Sequence, residues 1–139
     1  MAGEVKESGI AWTLCSVDDM GESLRAIVND VTSLNFSHTR GVQDTTGIDS
    51  AAHERLLLLP DYSVTLNGVF NPTALASHDV FKTVPFSAVI RTTTLTISGQ
   101  ICTNECLYGN YDVTRALDGS LVWTATGALA DGTEPAWST

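Results

Sequence analysis

Residues 107–128 read LYGNYDVTRALDGSLVWTATGA, two runs of strand-forming residues broken at Asp118-Gly119. An Asp-Gly pair between two such runs predicts a two-residue β-hairpin turn of type I′, with strands over Leu107–Leu117 and Ser120–Ala128. In the second run Leu121 and Trp123 alternate with Val122 and Thr124, the period-2 pattern of a strand.

Working outward, Ala88–Ser98 is another strand. Ile90, Thr92, Thr94, Thr96 and Ser98 form one face, and Val89, Arg91, Thr93, Leu95 and Ile97 the other. Asp61–Phe70 alternates in the same way, with Tyr62, Val64, Leu66 and Phe70 on one side. Ala11–Val17 reads as a first strand, followed by a polar turn over 18–22. Between Ser23 and Phe36 the apolar positions fit either a helical stripe or two short strands about Asn29-Asp30, and Val31–Phe36 has strand composition. Ser37–Asp49 lacks periodicity and reads as a long loop, a length usually functional or disordered. Ser50–Leu59 has helix-favouring residues closed by Pro60. A second short helix is expected up to Val84, capped by Asn71 or Thr73, with Leu75, Val80, Phe81 and Val84 inward. The tail Ala130–Thr139 reads as irregular. The sum is a mostly β domain over 1–139: an antiparallel β-sandwich or partly closed barrel with one or two short flanking helices.

The chain has 139 residues, 43% of them hydrophobic, enough for a core without staples. No run approaches the ~20 apolar residues that span a bilayer, so no membrane anchoring is expected. Met1–Gly9 lacks the apolar region of a signal peptide, which predicts folding in a cytoplasm. Three cysteines, Cys15, Cys102 and Cys106, read as reduced and packed as small hydrophobes. The net charge of −9 and the scattered Lys and Arg oppose tight nucleic-acid binding.

Signatures of catalysis are not found in the sequence. His38, His53 and His78 lack metal-ligand spacing and read as solvated. There is no Gly-x-Ser-x-Gly elbow and no phosphate-cradling glycine motif. Neither an enzyme nor a cofactor is expected. Arg91 and Arg115, both in expected strands, are candidates to face acids across strands or across subunits. Trp12, Trp123 and Trp137 would suit a stacking platform in a free ligand-binding sandwich, the rival class.

One longer pattern is more specific. Asp44-Thr45-Thr46-Gly47-Ile48-Asp49-Ser50-Ala51-Ala52-His53-Glu54-Arg55 resembles the D-x-T-G-x-D-x-x-A-x-E-R segment of phage tail tube proteins. It is followed by Asp61–Asn71, similar to their D-x-S-V-T-L-x-G-V-F-N strand, then by His78-Asp79-Val80-Phe81, Arg91–Leu95, Asp118–Trp123 and Asp131–Trp137. The resemblance implies a subunit of a long-tailed phage tail tube. Six copies would form a ring, rings would stack, and inner strands would join into one barrel through which DNA passes. It also implies tape measure, tail terminator and baseplate proteins as partners and a place in the virion tail. A terminator or neck ring subunit is the alternative within that class. An acidic wall would repel phosphates, so Asp18, Asp19, Glu22, Asp30 and Asp112 are the candidate lumen-facing acids. Thr39, Arg40, Gln43, Asp44, Thr45 and Thr46, in the expected long loop, are the candidate contacts between subunits or rings.

Overall fold

A computed structural model describes residues 6–139; the opening Met1–Val5 of the segment read for a leader lies outside them. The strands are β1 (Trp12–Asp18), β2 (Leu24–Ala26), β3 (Val31–Asp44), β4 (Arg55–Val69), β5 (Arg91–Ile97), β6 (Gln100–Arg115), β7 (Leu121–Leu129) and β8 (Trp137–Ser138). One α-helix, α1, spans Ser77–Phe81. All ladders are antiparallel, in the order β2-β1-β5-β6-β7-β4-β3, with β8 beside β6. The mostly β, antiparallel expectation therefore holds. The sheet rolls until Trp12 of β1 meets Phe36 of β3 edge-on at 5.8 Å, yet no ladder joins them, so the barrel stays open.

The core follows from the alternation read in the sequence. Leu95, Tyr62, Val64, Leu66, Trp123 and Ala125 point inward, together with Cys15, Cys102 and Cys106. Each large apolar side chain so buried contributes roughly 1.5–3 kcal/mol. α1 closes one end of the roll: Phe81 lies 5.2 Å from both Tyr108 and Trp123. Gly68 is bare because the Trp123 ring and the Asp30 carbonyl fill the space a Cβ would need.

Several local expectations are corrected. Ser50–Leu59 is not a helix, because β4 begins at Arg55 and continues through Pro60. Pairing with β3 overrides the helix propensity of the leucines. Ser37–Asp49 is not a loop: β3 runs to Asp44, and the connection spans only 45–54. The second helix shrinks to Ser77–Phe81, its cap position is Ala76 without a side-chain bond, and Leu75 is exposed at φ 67°. A 3₁₀ turn over Val84–Phe86 follows, holding Pro85.

The type I′ geometry lies elsewhere than expected. Ser98 and Gly99 both take positive φ, 49° and 80°, between the paired Ile97 and Gln100. β6 therefore starts seven residues before Leu107 (100 against 107). At Asp118-Gly119 only the glycine has positive φ. Gly119 donates to the Ala116 carbonyl, and Ala116 donates to the Ser120 carbonyl, giving a longer bulged turn. The C-terminal tail is not wholly irregular either: β8 pairs with Ile101 and Cys102 along the stretch of β6 that β7 does not reach.

Candidate functional site

β7 covers β4 only from Ser63 to Val69, whereas β3 stays paired with β4 out to Asp44↔Arg55. Beyond His38↔Tyr62 the two strands continue alone as an arm tipped by residues 45–54. Thr39, Arg40, Gln43 and Asp44 lie on its β3 strand, and Thr45 and Thr46 at its tip; all are exposed except Thr46, which is half-buried. Side chains and backbone organise the tip. Asp44 accepts from the Thr46 amide at 2.9 Å and from its hydroxyl at 2.5 Å, and Thr46 Oγ1 accepts from the Glu54 amide at 2.8 Å. The Thr46 hydroxyl, then its amide, hold the Asp44 carboxyl below its ordinary pKa. At the base, Arg40 Nε donates to the Leu58 carbonyl at 2.8 Å.

The arm is apolar and uncovered. Leu56, Leu57, Leu58 and Leu59 are 55%, 57%, 43% and 87% exposed, and Val42 is 55% exposed. Successive strand residues face opposite ways, so both faces of the ribbon carry leucine. A lone two-stranded ribbon is marginal in water, and exposed apolar patches of this kind are characteristic of interaction surfaces. Sequence reasoning found the polar residues of this region but took the leucines for a helix. The signal that could have found them is four consecutive leucines entering an unmistakable strand at Asp61.

A second feature is the face of the sheet turned away from the core. The ladders align Asn35, Thr65, Thr126 and Asn110 in one row, and Ser33, Asn67, Thr124 and Asp112 in the next. Thr124 Oγ1 donates to Asn67 Oδ1 at 2.8 Å, Asn110 Nδ2 to Asp112 Oδ2 at 2.6 Å, and the Thr126 amide to Asn110 Oδ1 at 3.2 Å. Asp112 is the one ionisable residue in these two rows, and neither row holds a Lys or Arg.

The five candidate acids are not gathered on one surface. Asp18 and Asp30 are buried and committed within the subunit, so they leave the set of wall charges. The Asp18 carboxylate accepts from the Thr92 amide at 3.2 Å. Asp30 accepts from Asn71 Nδ2 at 2.8 Å and from the Ser77 amide at 3.0 Å, tying the start of β3 to α1. Asp19 and Glu22 shape the β1–β2 turn. Asp19 accepts from the Gly21 and Ser23 amides and pairs with Arg25 at 2.9 Å. Desolvation opposes the effect, but the Ser23 amide, Arg25 and the Gly21 amide hold the Asp19 carboxyl below its usual value.

Other candidates also change role. Arg91 faces no acid across the strands. It is buried, donating to the carbonyls of Asp18 (2.8 Å) and Val80 (2.9 Å) and to Thr83 Oγ1 (2.8 Å), and burial lowers its pKa. His78 is half-buried against Phe70, with Nδ1 3.0 Å from the Tyr111 hydroxyl, rather than solvated. The three tryptophans make no common platform. Trp123 is in the core and donates to the Val69 carbonyl at 3.0 Å, while Trp12 and Trp137 flank Phe36. All three cysteines are free and buried, and desolvation pushes the Cys15 and Cys106 thiols up to about 12.

A rolled, open antiparallel sheet with one short helix and a long projecting hairpin is the tail-tube fold of phages. Solved structures that it matches include chains of gene transfer agent particles. One comes from the virion of a native particle, at TM-score 0.76 and 16% identity, covering 96% of this chain and 100% of that one. Another comes from the tail of an empty particle refined helically with C6 symmetry, at TM-score 0.76 and 18% identity, covering 96% and 98%. No protein-family description matches the chain, and no curated protein matches it.

Proposed function

We propose that the chain is a structural, non-enzymatic subunit of a phage-type tail tube. It forms hexameric rings that stack into a hollow tube, and DNA passes through the tube without specific binding. The carrying observation is the β3–β4 arm, whose two apolar faces have no cover among the described residues and need a second copy. The fold shared with chains of a C6-symmetric tail supports the same reading. The arm holds Thr39, Arg40, Gln43, Asp44, Thr45 and Thr46 as contacts between subunits or rings. Asp19, Glu22 and Asp112 remain as acids to repel phosphate. Assembly takes place in the host cytoplasm and ends in the virion, with tape measure, terminator and baseplate proteins at the tube's core and ends.

Electron microscopy of the purified protein tests this. Tubes or stacked rings with an axial hole are expected. Single closed rings would instead assign a terminator, and a persistent monomer would end the assembly reading.

A further inference from the structure

At the base of the arm, the mouth of the roll gathers side chains that the assembly does not use. Cys102 of β6 points inward and is fully buried. His38 of β3 stands across from it, exposed at the rim, with Nε2 3.6 Å from Cys102 Sγ. Asn104, two residues along β6 and so on the same face, donates from Nδ2 to Cys102 Sγ at 3.0 Å. Tyr62 is paired with His38 across β3 and β4, its ring 5.0 Å from the imidazole. The Tyr62 hydroxyl is buried and has no hydrogen-bond partner among the described residues. Burial, and after it the neighbouring Cys102 thiol, oppose its ionisation, so hydroxyl and sulfur share one environment.

A thiol donating to an imidazole accounts for the Cys102–His38 contact alone. It leaves the orphaned hydroxyl unexplained, and a buried polar group without a partner is a rare feature that an ion can satisfy. Thiolate is a soft donor and imidazole a borderline one. Two such donors are too few for zinc, which takes three or four protein ligands. They suit a monovalent ion with a filled d shell, which is satisfied by two or three. With bonds of ~2.3 Å to sulfur and ~2.0 Å to nitrogen, the 3.6 Å separation sets an angle of roughly 115° at the ion. That is close to trigonal and leaves a third position, for which the Tyr62 hydroxyl is the donor at hand. The Asn104 amide steadies the thiolate from the second sphere. Exposed His38 provides the way in. It lines a cleft of about 420 Å³ that also holds Asp61, Glu134 and Arg40, two carboxylates against one guanidinium, a balance that draws cations.

We propose that Cys102 and His38, with the Tyr62 hydroxyl, form a binding site for a soft monovalent metal ion such as Cu(I). Binding displaces the thiol proton to solvent: the S–H bond is lost, and sulfur and His38 Nε2 each donate a pair to the metal, with no change of oxidation state. β3 and β6 are not neighbours in the sheet, so the ion ties together strands that no ladder joins. It does so beneath Trp137 of β8, whose ring lies 6.0 Å from His38 and whose backbone pairs with Cys102. The site is independent of the ring reading above.

Copper transfer provides the test. The full-length protein is titrated anaerobically into the coloured Cu(I)–bicinchoninate complex, and loss of colour reads the metal withdrawn. One equivalent per chain is expected. Apparent affinity should rise about tenfold per pH unit between pH 7 and 8, one proton leaving as the metal enters. Cys102→Ser should abolish the transfer, and His38→Gln should weaken it tenfold or more. Cys15→Ser and Cys106→Ser, which alter the other buried thiols, should leave it unchanged. His38 is exposed, so His38→Gln decides the matter even where Cys102→Ser does not fold. Wild-type protein that withdraws no copper overturns the site. So does wild-type affinity in His38→Gln, or binding lost in Cys15→Ser or Cys106→Ser and kept in Cys102→Ser.

Discussion

Replacing Leu57 and Leu59 with threonine should cripple assembly and leave the subunit folded. The two residues are 57% and 87% exposed and flank Leu58 in the stretch of the arm where the register shifts from Val42↔Leu57 to Arg40↔Pro60. Burying a whole leucine is worth about 1.5–3 kcal/mol. Together they offer roughly one and a half leucines of surface, and threonine keeps part of it. The expected loss is about 1.5–3 kcal/mol per arm, or roughly 10- to 150-fold per contact at ~1.4 kcal/mol per decade. Threonine is a strand former, so the ribbon itself is retained. Sedimentation velocity across a concentration series measures the threshold for polymerisation, and thermal unfolding of the monomer is the control. A threshold raised tenfold or more with an unchanged monomer transition is expected. Assembly at the wild-type threshold would refute the premise that the arm is covered by a second copy.

Three further outcomes probe the interior. Gly68→Ala forces a methyl group onto the Asp30 carbonyl and to within 2.6 Å of the Trp123 ring. Such overpacking against backbone should cost about 3 kcal/mol in urea unfolding, and a loss under 1 kcal/mol would contradict the packing described. Arg91→Leu removes three hydrogen bonds, those to the Asp18 and Val80 carbonyls and to Thr83 Oγ1. A loss of about 3 kcal/mol is expected at roughly 1 kcal/mol per bond, again by urea midpoint. Asp19 has a folded pKa below its unfolded value, so its contribution is full above about pH 4 and fades as pH falls through the folded value. The stability gap between wild type and Asp19→Asn should therefore be open at pH 7 and narrow as pH falls below about 4. A gap that persists unchanged into acid would contradict this assignment.

Strands with one face in the core were legible because burial imposes a period of two. β5 shows it plainly: Arg91, Thr93 and Leu95 are buried, and the residues between them are not. The arm escaped the same reasoning because the described residues bury neither of its faces. With no buried side to impose alternation, four leucines in a row carry only their intrinsic preference, which is helical. The division of the acids was illegible for another reason. Asp30 is committed to Asn71 and Ser77, partners 41 and 47 residues along the chain, which no local pattern reveals. Arg91 is a related case: an arginine in the inward register of a strand looks like a misplaced charge until the carbonyls around it are seen.

The position of β1 in the sheet has a bearing on how the molecule is made. β1 is the first strand in the chain, yet it lies next to the fifth, with Val17 opposite Thr93. The hairpins β3–β4, β5–β6 and β6–β7 can each close soon after their strands appear, since their strands are consecutive. β1 cannot. At about 5–20 residues per second of synthesis, the 76 residues from Val17 to Thr93 take roughly 4–15 s to follow. Throughout that interval Cys15 and Val17, which end fully buried, belong to a strand whose long partner does not yet exist. Among the described strands β1 is therefore secured late, and its docking onto β5 is the longest-range closure in the sheet, the kind of contact that slows folding.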